Sequence, residues 1–126
     1  MARIMIVEDS RMMRQNLRIM LEKAGHTIVA EAGDGLQAFH EYSVHKPDLV
    51  TMDLTMPGIS GIDTVQNIIA EFPNANIIVV SVLNGRASVI QAIANGARHY
   101  IIKPISSEKL LSVVNEVLVK YQARED

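Results

Sequence analysis

Short apolar runs alternate with longer segments of helical periodicity along the chain, and this alternation restricts the possible folds more than any other feature. Five runs have the length of a strand: Ile4–Val7, Ile28–Ala30, Leu49–Met52, Ile77–Val80 and Tyr100–Ile102. Each is followed by a segment long enough for a helix, which is the usual connection between parallel strands. The sequence therefore predicts five successive βα units, an α/β fold with a doubly wound parallel sheet.

Apolar residues recur at the spacing of an amphipathic helix in the segments between these runs. The clearest stripe is Met13–Ala24, which Gly25 should end, and the pattern returns in Leu110–Tyr121 with Ser106 as its N-cap. Weaker helical patterns run through Leu36–Tyr42, Ile62–Phe72 and Val89–Ala97. The second strand mixes polar and apolar residues, which predicts that it lies at an edge of the sheet.

Length and composition exclude several classes of protein. A chain of 126 residues has room for one domain, and a frayed tail is predicted over Gln122–Asp126. Lys and Arg number 12 against 14 Asp and Glu, without a basic window, so direct binding to nucleic acid is not expected. The chain has no cysteine, and no apolar stretch approaches the length of a membrane span. We therefore expect a cytoplasmic protein that does not insert into membranes.

Residues that can carry chemistry directly follow four of the five predicted strands. Glu8 and Asp9 follow the first strand, Asp53 the third, Ser81 the fourth and Lys103 the fifth. Parallel strands finish at one edge of a sheet, so carboxylates on neighbouring strands would repel each other unless a cation lies between them. Oxygen ligands of this kind suit Mg²⁺. A carboxylate beside Mg²⁺, a lysine and a hydroxyl can act as a nucleophile toward phosphorus, which indicates phosphoryl chemistry.

The joint spacing of these residues, together with the segment Asp53–Gly61, resembles the receiver domain of two-component response regulators. The resemblance extends from Ile4 to about Tyr121. It is closest to the stand-alone chemotaxis regulators of the CheY type, across Asp48–Asp63 and Ile77–Pro104. It implies a single receiver domain over residues 1–126, with a flavodoxin-like, CheY-like fold and strand order 2-1-3-4-5.

The resemblance also implies a role for each site residue. Asp53 would accept phosphate from a sensor histidine kinase, while Lys103 and Ser81 would contact the phosphoryl group. The implied Mg²⁺ ligands are Glu8 through water, Asp9, Asp53 and the backbone carbonyl of Thr55. Ser81 and Tyr100 would form the switch pair, and the peptide bond between Lys103 and Pro104 would be cis. The protein would not be an enzyme beyond phosphotransfer to itself and autodephosphorylation.

In such a protein, phosphorylation would change the surface of helix 4, strand 5 and helix 5, and an output partner would bind there. Control of motility in chemotaxis is the implied pathway, with the flagellar motor switch as a candidate partner. The protein would be a monomer or a phosphorylation-dependent dimer.

Two positions depart from the usual pattern of this family. Val82 follows the switch hydroxyl, where Ala or Gly is usual, and its bulk predicts slower phosphorylation and slower hydrolysis of the aspartyl phosphate. Glu8 stands where Asp is commoner, a longer side chain that the site should tolerate.

Several alternatives remain open from the sequence. The chain could be a receiver domain cut from a longer regulator, or a degenerate receiver used as a docking module. A haloacid-dehalogenase-like phosphatase would need a second acid two residues after the nucleophile, where this chain has Thr55. A flavodoxin-like cofactor binder would need a phosphate loop rich in glycine and hydroxyl groups after strand 1, where the chain has Glu8-Asp9-Ser10.

Overall fold

The computed structural model describes residues 1–122, and it contains five strands and five helices in strict alternation. The strands are β1 (Arg3–Val7), β2 (Thr27–Ala32), β3 (Leu49–Met52), β4 (Ile77–Ser81) and β5 (His99–Ile102). The helices are α1 (Arg11–Lys23), α2 (Gly35–His45), α3 (Gly61–Glu71), α4 (Arg86–Ala94) and α5 (Ser107–Gln122). All pairings are parallel and the strand order is β2-β1-β3-β4-β5. The predicted fold is confirmed, with β2 at an edge as its mixed polarity indicated.

The structure corrects the predicted bounds of the fourth helix and of the C-terminal tail. The fourth helix was expected over Val89–Ala97, which is wrong at both ends, because α4 begins after Gly85 and ends at Ala94. Asn95 caps it and Gly96 turns the chain away with a φ of +113°, a backbone conformation that favours glycine. Of the predicted tail, Gln122 is the last residue of α5, and residues 123–126 lie outside the described part of the chain.

The core consists of two apolar layers, one on each face of the sheet. Alternate side chains of β1 divide between them: Ile4 and Ile6 join the layer beneath α1 and α5, while Met5 and Val7 join the layer beneath α2 and α3. Every residue of β3 and β4 is buried, as expected for central strands covered by helices on both faces. Polar groups at the carboxyl ends of these strands are therefore held on a rigid apolar base.

Side-chain caps fix the start of four helices. Ser10, Asp34 and Ser60 each accept a hydrogen bond from a backbone N–H in the first turn of α1, α2 and α3. Ser106 accepts one from the Lys109 N–H at 3.1 Å, which confirms its prediction as the N-cap of α5. Gly85 supplies no side-chain cap to α4, which is also only 9 residues long. The helix that follows β4 is thus the least firmly anchored at its start.

Gly61 lets the start of α3 contact the backbone that follows β3. Its N–H donates to the Leu54 carbonyl oxygen at 3.2 Å. A Cβ at this position would lie 2.5 Å from the Asp53 carbonyl oxygen and even closer to the Leu54 Cα. Only a residue without a side chain allows this approach, so Gly61 helps to set where Asp53 lies.

Gly61→Ala is expected to lower the free energy of unfolding by roughly 1–3 kcal/mol, because the added methyl group meets backbone that cannot move aside easily. Helix propensity alone would predict the opposite sign. Urea denaturation measures the change. The control is Gly33→Ala, where the nearest atom to an added Cβ is a flexible Arg14 side-chain nitrogen at 3.6 Å. Equal stability of the two variants would contradict this account of Gly61.

Candidate functional site

The acidic residues meet at the carboxyl edge of the sheet. β1 and β3 are direct neighbours, with Val7 opposite Met52, and the Asp53 N–H donates to the Val7 carbonyl oxygen at 2.9 Å. Glu8, Asp9 and Asp53 each present a carboxylate oxygen within 4.8 Å of the others. The structure therefore brings together the three acids predicted from the strand ends.

Lys103 reaches this acidic cluster from β5, on the far side of β3 and β4. Its Nζ lies 2.7 Å from Glu8 Oε1 and 3.8 Å from Asp53 Oδ2. The lysine side chain is 12% exposed and the two carboxylates are 2% exposed, so the charges attract each other with little screening by water. The ammonium thus offsets part of the repulsion between the acids.

Each carboxylate oxygen of Glu8 accepts a hydrogen bond. Its Oε2 accepts from the Ser10 N–H at 3.0 Å, while Oε1 accepts from Lys103. Burial raises the pKa of Glu8, as does the nearby charge of Asp53, whereas the hydrogen bonds from Lys103 and Ser10 act in the opposite direction. Removing Lys103 would therefore leave a buried carboxylate beside a like charge.

The two carboxylate oxygens of Asp53 have different surroundings. Oδ1 accepts hydrogen bonds from the Thr55 N–H and the Thr55 hydroxyl, both at 3.2 Å, while Oδ2 faces Lys103. The hydrogen bonds of Thr55 to Asp53 thus involve its amide and hydroxyl groups. The role of its carbonyl as a metal ligand stays a prediction.

Ser81 and Tyr100 meet through the loop that joins β4 to α4. The fully buried Ser81 Oγ accepts from the Leu83 N–H at 3.1 Å, and the Tyr100 hydroxyl donates to the Leu83 carbonyl oxygen at 2.6 Å. Burial raises the pKa of the Tyr100 hydroxyl. Both residues of the predicted switch pair are therefore hydrogen-bonded to the backbone of Leu83. Nearby, the Lys103–Pro104 peptide bond is cis.

Sequence reasoning missed Arg14, whose Nη1 donates to the Glu8 carbonyl oxygen at 2.7 Å. Its Nε donates to Glu31 on β2 at 3.0 Å, and Arg18 binds the same carboxylate. The available signal was weak: two arginines one helical turn apart on α1, and a single acid on the neighbouring strand.

The donor set fits a divalent cation with oxygen ligands. Three ionised carboxylates and the Lys103 ammonium leave two net negative charges, and Asp9 is exposed on the solvent side. Two oxygens that bind one Mg²⁺ at about 2.0–2.1 Å lie at most about 4.2 Å apart, so oxygens within 4.8 Å of one another need only a small movement to share the ion. Lys103 engages one oxygen of Glu8, which leaves Asp9 and Asp53 as the acids best placed to bind Mg²⁺ directly.

Comparison with known proteins identifies the family. The family model of the response regulator receiver domain matches residues 4–115. The chain belongs to the response regulator receiver family. It is 42% identical over 115 residues to the chemotaxis protein CheY of Thermotoga maritima, and the aligned region covers 91% of this receiver and 96% of that protein. Identity to the chemotaxis protein CheY of Bacillus subtilis is 41% over 116 residues, with 92% and 97% covered.

Solved structures agree with the receiver fold. The complex of CheX, CheY, BeF₃ and Mg²⁺ from Borrelia burgdorferi has a TM-score of 0.90 at 33% identity, covering 92% of this receiver and 88% of that chain. A two-component response regulator of the LuxR family from Aurantimonas sp. has a TM-score of 0.91, also at 33% identity, with 94% and 86% covered. Among the described helices of this receiver, none is long and apolar enough to cross a membrane.

Mg²⁺ is expected to raise the melting temperature of this receiver, because a cation bound only by the folded state relieves the repulsion between its carboxylates. With free Mg²⁺ at a hundred times its Kd, the free energy of unfolding would rise by about 2.7 kcal/mol. The double variant Asp9→Asn/Asp53→Asn should melt higher than the wild type without Mg²⁺ and gain little when it is added.

Thermal melts with NaCl at matched ionic strength are the control, since Na⁺ screens the acids without coordinating them in the same way. The metal site would be refuted by a wild-type protein that millimolar Mg²⁺ does not stabilise, or by an equal gain in the double variant.

Proposed function

We propose that this receiver is a phosphorylation-activated response regulator in which Asp53 accepts a phosphoryl group from a sensor histidine kinase. The observation that carries the proposal is the position of Asp53, buried among Glu8 and Asp9 with Lys103 3.8 Å from its Oδ2. Nucleophile, metal-binding acids and a compensating cation are all present at one strand edge, as phosphoryl transfer requires.

The proposed transfer uses the residues in distinct roles. A carboxylate oxygen of Asp53 attacks phosphorus, a P–O bond forms, and the P–N bond to the kinase histidine breaks, with its electron pair leaving on the imidazole. A phosphoryl group on Oδ2 would place its negative charge beside Lys103, while Thr55 continues to hold Oδ1. Mg²⁺, when bound by the acids, supplies further neutralisation of the transferring group. In this proposal the receiver catalyses only its own phosphorylation and dephosphorylation.

The proposed switch passes from Ser81 to Tyr100. In the described structure Ser81 Oγ is engaged by the Leu83 N–H. A turn of the Ser81 side chain to donate its hydroxyl to a phosphoryl group would move Oγ away from the Leu83 N–H and shift the β4–α4 loop. Because the Tyr100 hydroxyl is bonded to the Leu83 carbonyl oxygen, the shift would be transmitted to β5.

The proposed output face consists of the exposed surfaces of α4, β5 and α5. Large apolar side chains lie exposed there, including Ile90, Ile93 and Ile102. We infer that a partner binds this face when Asp53 is phosphorylated. The receiver itself would be a monomer or a dimer that forms on phosphorylation. Relatives named chemotaxis protein CheY make chemotaxis the favoured pathway and the flagellar motor switch a candidate partner.

The alternative functions receive less support. A haloacid-dehalogenase-like phosphatase would need an acid at position 55, where Thr55 instead hydrogen-bonds Asp53. A degenerate receiver would lack part of the site, yet the acids, the hydroxyl and the lysine are all in place. Val82 is 58% exposed, on the solvent side of the loop. Its slowing effect on phosphorylation and hydrolysis stays a prediction.

Asp53→Asn is expected to abolish phosphorylation, because the amide is a poor nucleophile and carries no charge to bind Mg²⁺. Incubation with acetyl phosphate and Mg²⁺, followed by mass spectrometry of the intact protein, should show one added phosphoryl group on the wild type and none on the variant. Asp63→Asn, an exposed acid in the first turn of α3, is the matched control and should be labelled normally. Equal labelling of Asp53→Asn would disprove the assignment.

Ser81→Ala should leave Asp53 open to beryllofluoride, a phosphoryl stand-in, but weaken the response of α4 and β5, because the hydroxyl that links the anion to Leu83 is gone. NMR amide shifts between the free and beryllofluoride-bound protein measure that response. Ser43→Ala, which loses a hydroxyl on α2 bonded to the Phe39 carbonyl oxygen, should keep the full set of shifts. If Ser81→Ala also keeps the full set at α4 and β5, the hydroxyl is not the coupling element.

A further inference from the structure

We infer that Arg14 is a positioning residue for the acidic cluster: it fixes the peptide bond between Glu8 and Asp9 and thereby sets where the Asp9 carboxylate lies. The inference rests on the proposed function, since it concerns the Mg²⁺ affinity of the same cluster. Arg14 is not itself a ligand, because a guanidinium has no oxygen and does not deprotonate in proteins.

The contact of Arg14 is with the backbone of the loop between β1 and α1. Its Nη1 donates at 2.7 Å to the carbonyl oxygen of Glu8, which belongs to the Glu8–Asp9 peptide bond. The Glu8 N–H is held as well, by the Ala32 carbonyl oxygen at 2.9 Å. The peptide plane before Asp9 therefore cannot rotate without breaking a short charge-assisted hydrogen bond.

Arg14 is in turn anchored to the sheet. Its Nε donates to Glu31 Oε1 at 3.0 Å, and Glu31 lies opposite Ile6 in the β1–β2 register. The other oxygen of Glu31 accepts from Arg18 Nε at 2.7 Å. The side chain of Arg14 is 23% exposed, so these bonds are partly shielded from solvent. The guanidinium of Arg14, which projects from α1, is thus also hydrogen-bonded to a residue of β2.

Asp9 depends on this anchoring more than the other acids do. Glu8 is held by Lys103 and Ser10, and Asp53 by Thr55. Among residues 1–122, none donates a hydrogen bond to the exposed Asp9 carboxylate. Its position toward Asp53 therefore follows from the orientation of the backbone that Arg14 holds.

The charge of Arg14 and its positioning role predict opposite effects on cation binding. A positive charge beside the acids opposes a cation, so its removal alone would strengthen Mg²⁺ binding. Loss of the hydrogen bond to the Glu8 carbonyl oxygen would let the peptide plane rotate, and Mg²⁺ binding would weaken. The sign of the change therefore separates the two effects.

The test is calorimetric titration of the full chain with MgCl₂, comparing the wild type with Arg14→Gln, Arg14→Lys and Arg11→Gln. Arg11 is the matched control, an exposed arginine at the start of the same helix. We expect Arg14→Gln to raise Kd by about tenfold, in the range typical for residues that orient metal ligands. Arg11→Gln should leave Kd unchanged or lower it. Arg14→Lys should recover part of the affinity, since its single ammonium can still donate to the Glu8 carbonyl oxygen.

A second measurement, hydrogen exchange of the metal-free protein, tests the same inference without Mg²⁺. Exchange at the amide of Ser10, which donates to Glu8 Oε2 at 3.0 Å, should accelerate in Arg14→Gln and not in Arg11→Gln. Should Arg14→Gln fold poorly, Glu31→Gln removes the anchor while keeping Arg14, and it should change Kd and exchange in the same direction. A Kd for Arg14→Gln no higher than that of Arg11→Gln, or unchanged exchange at Ser10, would overturn the positioning role. A wild type that does not bind Mg²⁺ would instead count against the proposed function, and the exchange result would still decide the role of Arg14.

Discussion

The rest of the site depends on the attraction between the buried ammonium of Lys103 and the carboxylates of Glu8 and Asp53. Three carboxylates lie within 4.8 Å of one another at the sheet edge, and two of them are almost fully shielded from water. Such an arrangement is unstable unless a positive charge accompanies it. Lys103 supplies one charge of the needed sign, which lets the chain fold with the cluster in place while two negative charges stay available to a divalent cation.

The sequence predicted the five strands and their polar end residues because both are local patterns on a chain with simple topology. In a parallel sheet covered on both faces, central strands must be apolar, so the first polar residue after each run marks the functional edge. Asp53, Ser81 and Lys103 were found this way. Their convergence needs no further information once β1, β3, β4 and β5 are neighbours.

What the sequence did not predict depends on contacts between distant parts of the chain. The predicted C-terminal limit of α4 was wrong because Ala97 continues an apolar pattern beyond the point where Gly96 turns the backbone away. Arg14 was missed because its role requires Glu31 on β2 and the Glu8 carbonyl oxygen to face it together. The primary partner of Lys103, Glu8 at 2.7 Å, also follows only from how a long side chain crosses two strands.

The site is held unequally on its two sides, and this asymmetry bears on the direction of the proposed signal. On the acidic side, the β1–α1 loop is fixed by the Ser10 cap and by bonds to both backbone groups of Glu8. On the hydroxyl side, the loop after Ser81 leads into an uncapped helix of 9 residues with Ala92 as its only buried residue. Regions with few buried contacts open at the lowest free-energy cost. A phosphoryl charge on Asp53 would act on both loops. The loop that costs less free energy to displace moves further, and this is the loop after Ser81. The conformational change should therefore pass to α4 and β5 rather than to α1.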